Sequence, residues 1–568
     1  MRHLPRLLIT GVTFAFAAAL TLTSAQESET ATKKESKPDP AMARLRAKLN
    51  PEFPNWSPAY VFERCAEHLA TINKYDRPRI RYFDLSGVPR AVIPIATASL
   101  FFGTNSAART TVTYVPRAVP NTDNRIFWID LCWFNWTAET WENISEEDPY
   151  FREPIIPSDS KALAFLKSET NANPVLRWDW LCFYAYDNTQ FLKLGETFNE
   201  KAFYYQLVYS NVVFTREVKE KKEVIEEITE YKTVRKQVYD SRFNGYVIQE
   251  VQEPVKKQNK RVEEKVVKKK VKGVGPANVK EFQDAWKVDF SVLKDFPIDQ
   301  GVMINAGRSG VSYENRVMWR IRTAIGTYWR TFDVLRSVGD QDFVETPFPK
   351  GFDAGEHIIQ DARGCQFYHL SDGKDMSVDF GDPRIVKDHV SGARVLLTAS
   401  SCIHCHDNGI IGFKNEHRRL AEIGVKLKAV DYNRAERFAQ FYLQDRKMQK
   451  YVGQDQTEYA EFVRDCNGLT TSENATQFGK FRAWYLKPVD LEQAAREIGC
   501  DKQELSDAIG YQGTKGRLGA LVLDNTPIPR QTWERGVFQE AALLLIEWRK
   551  SRKMIHGSHG GGYHPKKR

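Results

Sequence analysis

The chain has 568 residues, 27% charged and 42% hydrophobic, with a formal net charge of +9. That balance describes a water-soluble protein with room for about two to four domains, and it excludes a wholly disordered chain and a multi-span membrane protein. The mild basic excess falls short of a dedicated nucleic-acid binder, which would gather its basic residues on one face or helix, so no nucleic-acid partner is expected.

The first apolar run is the only long one. Arg2 and Arg6 precede Leu7 to Leu22, and Thr23-Ser24-Ala25 follow, the pattern of a secretory signal peptide cut after Ala25. The run is short for a bilayer span, which needs about 18 to 20 apolar residues, and an uncleaved anchor is the alternative. No later segment could span, so no integral membrane segment is expected beyond it. Loss of the two arginines leaves 80 basic against 73 acidic residues, a mature charge of +7. Residues 26–48, polar around Pro38 and Pro40, read as a flexible linker.

Residues 49–215 read as an α+β domain. Apolar patterning predicts strands at Ile80 to Leu85, Thr110 to Val115, Arg125 to Leu131 and Val175 to Tyr186, and helices near Val61 to Asn73, Val92 to Phe102 and Ser158 to Leu166. Residues 216–275 form a charged insertion. Within it, residues 216–272 hold 17 basic and 11 acidic side chains. Val238-Tyr239 and Tyr246-Val247-Ile248 flank Asn244-Gly245, a hairpin signal. This arm is either a solvated excursion or a surface that docks an anionic partner.

Residues 276–412 read as a second α+β region, with a hairpin from Cys365 to Leu370 through Asp372-Gly373 into Asp375 to Phe380, and an apolar strand from Arg394 to Thr398. Residues 413–550 are helical in pattern. Tyr432 to Tyr451 reads as one helix, Asp490 with Gln493 and Asp501 with Glu504 resemble capping boxes, and a last helix spans about Arg530 to Arg549. Residues 551–568, a histidine, glycine and basic tail, are expected to be disordered.

One motif is sharp. Cys402-Ile403-His404-Cys405-His406 has the spacing of c-type haem attachment. Two thiols one short turn apart can add to the two vinyl groups of one haem, and the adjacent imidazole of His406 can reach the iron, so Cys402, Cys405 and His406 are the candidate cofactor residues and His406 the metal ligand. Export agrees, because c-type haem is attached outside the cytoplasmic membrane. Two other readings use the same residues: a zinc site completed by His417 or a distant ligand, and a Cys402–Cys405 redox disulfide. His404 reads as a spectator on the loop.

The group opposite His406 would decide what the haem does. Met448 and Met554 are the only methionines after the motif, and Met376, His369, His389 and His417 are further candidates; five-coordinate iron is equally open. The other cysteines, Cys65, Cys132, Cys182, Cys365, Cys466 and Cys500, read mostly as buried thiols. No serine triad, phosphate-binding glycine loop or helical His-Glu-x-x-His motif is present.

The surroundings of the motif resemble a family of large exported cytochrome-c-domain proteins from planctomycete-type bacteria. The pieces that carry the resemblance are Gly310-Val311-Ser312, Asn315-Arg316-Val317, Gly326 to Arg330, Gly355-Glu356-His357-Ile358, Ala399-Ser400-Ser401 and Asn408-Gly409-Ile410-Ile411, with Arg81 to Leu85 and Glu147 to Phe151 towards the N-terminus. The resemblance implies haem binding and electron transfer, carries the attachment residues onto Cys402, Cys405 and His406, and leaves residues 216–272 as an insertion. The expected protein is an exported, single-haem c-type cytochrome, periplasmic or associated with the cell envelope, with one covalent haem c and an unidentified redox partner. The rivals are a haem-dependent oxidoreductase or peroxidase, and a binding or scaffold protein with a sensory or structural haem.

Overall fold

A computed structural model describes residues 57–557 except 152–159, 188–191, 243, 289–302, 307–314, 335–350, 389–394, 414–415, 430, 442–443, 468–476 and 512–515, and gives the backbone alone at 303–306, 315, 416–418, 420, 437–441 and 553–557. The expected signal peptide, the linker and His389 therefore lie outside the described residues.

The first helix, α1 (Pro58–Thr71), starts where Ser57 Oγ accepts the Tyr60 N–H, and it buries Val61, Phe62, Cys65, Ala66 and Leu69, one helical face. Next come β1 (Ile80–Asp84), α2 (Ile93–Ser106), β2 (Arg117–Ala118), β3 (Ile126–Asp130), α3 (Ala138–Ser145), α4 (Lys161–Thr170), β4 (Val175–Arg177), α5 (Trp178–Tyr184) and α6 (Phe203–Val208). The strands form a sheet of order β2-β3-β1-β4, with β1 antiparallel to β3 and parallel to β4. Two strand expectations change here. Thr110 to Val115 is irregular, and the run from Val175 stops being strand at Arg177 and becomes α5, because a solid apolar run suits a buried helix as well as a buried strand.

The insertion is a two-stranded ribbon. β5 (Val213–Asp240) and β6 (Gly245–Lys272) pair without interruption from Val213 opposite Lys272 to Asp240 opposite Gly245. At 28 residues each, the strands extend roughly 90 Å. The expected hairpin is present, with Asn244 at φ 38°, but Gly245 already belongs to β6, paired with Asp240 at the tip.

After α7 (Val279–Ala285), the strands β7 (Met303–Ala306), β8 (Asn315–Thr323), β9 (Gly326–Val334), β10 (Ala354–Asp361), β11 (Gln366–Asp372) and β12 (Ser377–Val378) form a sheet in consecutive order, each pair antiparallel. The expected hairpin from β11 through Asp372-Gly373 is the β11–β12 pair. Instead of the strand expected before the motif, Leu397 makes a single bridge to Phe380.

The rest is helical: α8 (Ser400–Cys405), α9 (Glu416–Lys426), α10 (Tyr432–Phe441), α11 (Asp445–Asn467), α12 (Phe478–Tyr485), α13 (Leu491–Ile498), α14 (Lys502–Tyr511), α15 (Gly516–Leu523) and, after a turn at Arg530–Thr532 and a break at Arg535-Gly536, α16 (Phe538–Gly557). The single helix expected over Tyr432 to Tyr451 is thus α10 and the start of α11. Asp490 caps α13 by accepting the Gln493 N–H at 2.8 Å. The chain is α+β, and no helix among the described residues is long and apolar enough to cross a membrane.

These helices share one core with the N-terminal sheet. α2 is buried almost all round, and Gly103 within it admits the Trp178 ring, which would stand 2.5 Å from any added Cβ; the Phe478 ring of α12 packs beside it. A buried polar network crosses the same boundary. Arg177 pairs with Asp179 and with Glu497, which also accepts Arg530 at 2.7 Å and Trp533 Nε1 at 2.8 Å. Burial alone would raise the Glu497 carboxyl, but Arg530 and Arg177 hold it at about 2. Buried acids less fully matched go the other way: burial pushes Asp148 to about 7 and Glu534 to about 8.

Candidate functional site

The motif occupies α8 and the turn after it. Ala399 at φ 65° redirects the chain from the Leu397 bridge into the helix, and Ser401 Oγ accepts the Leu397 N–H at 2.9 Å. Cys402 and Cys405, three residues apart, lie on one side of this single helical turn; the first is buried and the second half-buried. His406 closes α8 by donating its N–H to Cys402 O at 2.8 Å.

Three elements set the imidazole. Its Nδ1 lies 3.2 Å from the carbonyl of Gly409, so the ring donates there and Nε2 is the nitrogen with a lone pair to offer. Gly409 sits at φ 84°, where the Tyr459 side chain of α11 would be 3.2 Å from an added Cβ. From β11 the Tyr368 ring lies nearly parallel to the imidazole, 5.9 Å between centroids.

On the Nε2 side stands Glu356 of β10, its Oε1 at 3.7 Å, an electrostatic approach longer than a hydrogen bond. Arg316 of β8 holds this carboxylate at 3.2 Å while binding Asp333 of β9 at 2.6 and 3.1 Å. Burial alone would raise the Glu356 carboxyl; His406 and Arg316 beside it keep it at about 2. Beyond Glu356 and Arg316 opens a cavity of about 330 Å³ whose apolar wall includes Leu370, Phe380, Val386 and Leu396. The two thiols and His406 do not line it.

The thiols are protonated. Burial, reinforced by Glu356, pushes Cys405 up to about 12 and Cys402 well above the usual range. A redox-active Cys-x-x-Cys pair needs a stabilised thiolate, so this environment disfavours the disulfide reading. Among the described residues no group of three or more His, Cys, Asp or Glu side chains is placed to hold a metal ion, which leaves the zinc reading without a ligand set there. The donor set suits a haem instead: two thiols on one turn and an imidazole with its second nitrogen fixed.

The distal candidates sit on different elements. Met448 is buried in α11, Met376 is 48% exposed beside β12, and His369 is committed to Ser377 Oγ at 3.2 Å and stacked on Phe282. The side chains of His417 and Met554 lie outside the described residues, their backbones in α9 and α16. His404 packs against Gly479 of α12, away from the Gly409 turn. Reading by motif assigned no role to Arg316, Glu356, Tyr368 or Gly409. For Arg316, Glu356 and Gly409 the only signal lay in the pieces Asn315 to Val317, Gly355 to Ile358 and Asn408 to Ile411; Tyr368 had none beyond its place in the Cys365 to Leu370 hairpin.

In comparisons with protein-family models, curated proteins and solved structures, nothing matches this chain.

Proposed function

We propose that the chain is an exported, single-haem c-type cytochrome of the periplasm or cell envelope that transfers single electrons. The observation that carries the reading is the Cys402-x-x-Cys405-His406 motif on one helical turn with His406 Nδ1 tied to Gly409 O. Cys402 and Cys405 would form the thioether bonds, and His406 Nε2 would bind the iron. When bound, the haem supplies a one-electron iron couple. The protein's part is to hold the imidazole: Gly409 O keeps the Nδ1 proton, Tyr368 flanks the ring, and Arg316 anchors Glu356 while also pairing with Asp333, so that the three groups together keep one net negative charge beside Nε2. Such a buried charge beside Nε2 would bear on the reduction potential.

The test is expression with haem-maturation machinery, followed by a denaturing mass measurement and reduced-minus-oxidised spectra. One covalent haem per chain, lost in Cys402→Ala with Cys405→Ala, is the expected result. A wild-type chain that leaves the maturation pathway without covalent haem would overturn the reading.

A further inference from the structure

The β5–β6 ribbon carries its surplus charge in its root half, shared by both faces; on one of them Arg216, Arg261 and Lys269 are ion-paired to Glu281, Glu226 and Glu220. Alternate side chains point to opposite faces of a pleated pair, and the unbroken register assigns each one. Over residues 213–225 of β5 and 260–272 of β6, the other face holds six lysines against three glutamates. Nearer the tip the same face is balanced: Arg235 pairs with Glu250 at 3.0 Å and Lys256 with Glu227 at 3.4 Å. Lys268, Lys270 and Lys272 occupy successive positions of that face, roughly 7 Å apart, all exposed. None of the three makes an ion pair among the described residues. Over so short a stretch the strand twist leaves them in line.

A second feature lies at the foot of the ribbon, lined by Val213 and Phe214, one from each face. A cleft of about 460 Å³ opens beside Val213, the residue opposite Lys272. Arg109 lines it, donating to the Ala285 carbonyl at the end of α7 and lying 4.2 Å over the Trp286 ring. No carboxylate pairs with this guanidinium among the described residues, and burial lowers it from its usual range, the mark of an uncompensated cation. Asp284, also at the cleft, is engaged by Lys280.

We propose that the strip running from the Arg109 cleft along Lys272, Lys270 and Lys268 binds a linear anionic polysaccharide. The inference is independent of the haem reading. Evenly spaced point charges on flexible stems suit repeated carboxylate or sulfate groups. The pairing with β5 holds the lysine backbone in a row before any ligand arrives, so only the side chains remain to be ordered. Single-stranded nucleic acid fits less well, because the root half of this face offers valine, threonine and isoleucine but no aromatic ring on which a base could stack.

The test uses the full chain and heparin as the probe. Wild type should be retained on immobilised heparin at about 0.15 M salt, and Lys268→Gln with Lys270→Gln and Lys272→Gln should bind heparin at least about tenfold more weakly. Arg109→Gln should weaken it less. Arg235→Gln with Lys256→Gln, which removes two cations from the balanced tip half, should change nothing. Release of wild type at that salt, equal losses in the tip and root variants, or displacement of heparin by a single-stranded oligonucleotide at lower concentration would each overturn the proposal. All the substituted lysines are exposed, and circular dichroism of each variant separates lost binding from lost folding.

Discussion

Arg320 of β8 and Asp455 of α11 form a buried two-point ion pair, Nε to Oδ2 at 2.9 Å and Nη2 to Oδ1 at 2.7 Å. Trp329 Nε1 donates to the same carboxylate at 2.8 Å. This contact joins the six-stranded sheet to the helix that carries Tyr459, and so joins Glu356 and Tyr368 on one side to the Gly409 turn on the other. Asp455→Ala strands a buried guanidinium and an indole N–H, and should cost about 3–5 kcal/mol in urea unfolding. Asp455→Asn, which retains one acceptor oxygen, should cost less. Equal stability of wild type and the alanine variant would show that the pair is not holding these elements together.

Gly409→Ala tests the hold on His406. At φ 84° a side chain is strained, and Tyr459 leaves little room, so the turn should shift at a cost of about 1–2 kcal/mol. The carbonyl that accepts from Nδ1 moves with it. On the proposed function, covalent haem yield by mass should fall while Cys402 and Cys405 remain; an unchanged yield and an unchanged haem spectrum would count against a role for the Gly409 carbonyl.

Ala399 presents the reverse case. Its φ of 65° at the entrance to α8 is costly for a residue with a Cβ. Ala399→Gly removes the strain but adds freedom to the unfolded chain, so denaturation should show a change between none and about 1 kcal/mol of stabilisation. A loss of more than about 1 kcal/mol would mean that the buried methyl packs more tightly than the backbone is strained.

Glu534 gives a pH dependence whose sign is determined. Its carboxylate side chain is buried and receives the hydroxyls of Tyr184 and Tyr485. Burial raises it from 4.5 to about 8, so between those values the folded state holds a proton that the unfolded chain has lost. Stability from this group is full below about pH 4.5 and is lost as pH rises towards 8. Glu534→Gln should flatten that decline, and the variant should gain on wild type in melting temperature as pH increases. Parallel curves for the two proteins from pH 5 to 8 would rule out Glu534 as the source.

Much of this architecture could be read from local pattern. The presence of α1 near Val61 follows from its apolar pattern, the cap of α13 from Asp490, and the hairpin tip of the ribbon from Asn244-Gly245, whereas the 28-residue length of its strands does not. Failures came where a local signal has two solutions. The aromatic run after Arg177 could be buried as strand or helix, and neighbours supplied by α2 and α12 made it a helix.

The same division runs through the site. Covalent attachment chemistry depends on two thiols and an imidazole at fixed spacing, so the sequence by itself determined Cys402, Cys405 and His406 as the candidates. It determined the surplus charge of residues 216–272 as well. Tertiary structure alone decided that Glu356 and Tyr368 flank the imidazole with Arg316 behind Glu356, that Arg320 meets Asp455, and that the Arg109 cleft opens at the foot of the ribbon. Each of these relationships joins residues brought together by strand register or by the path of distant segments. Ion pairing and ring contacts act over a few ångströms of space, and no period along the chain encodes which segments will lie that close.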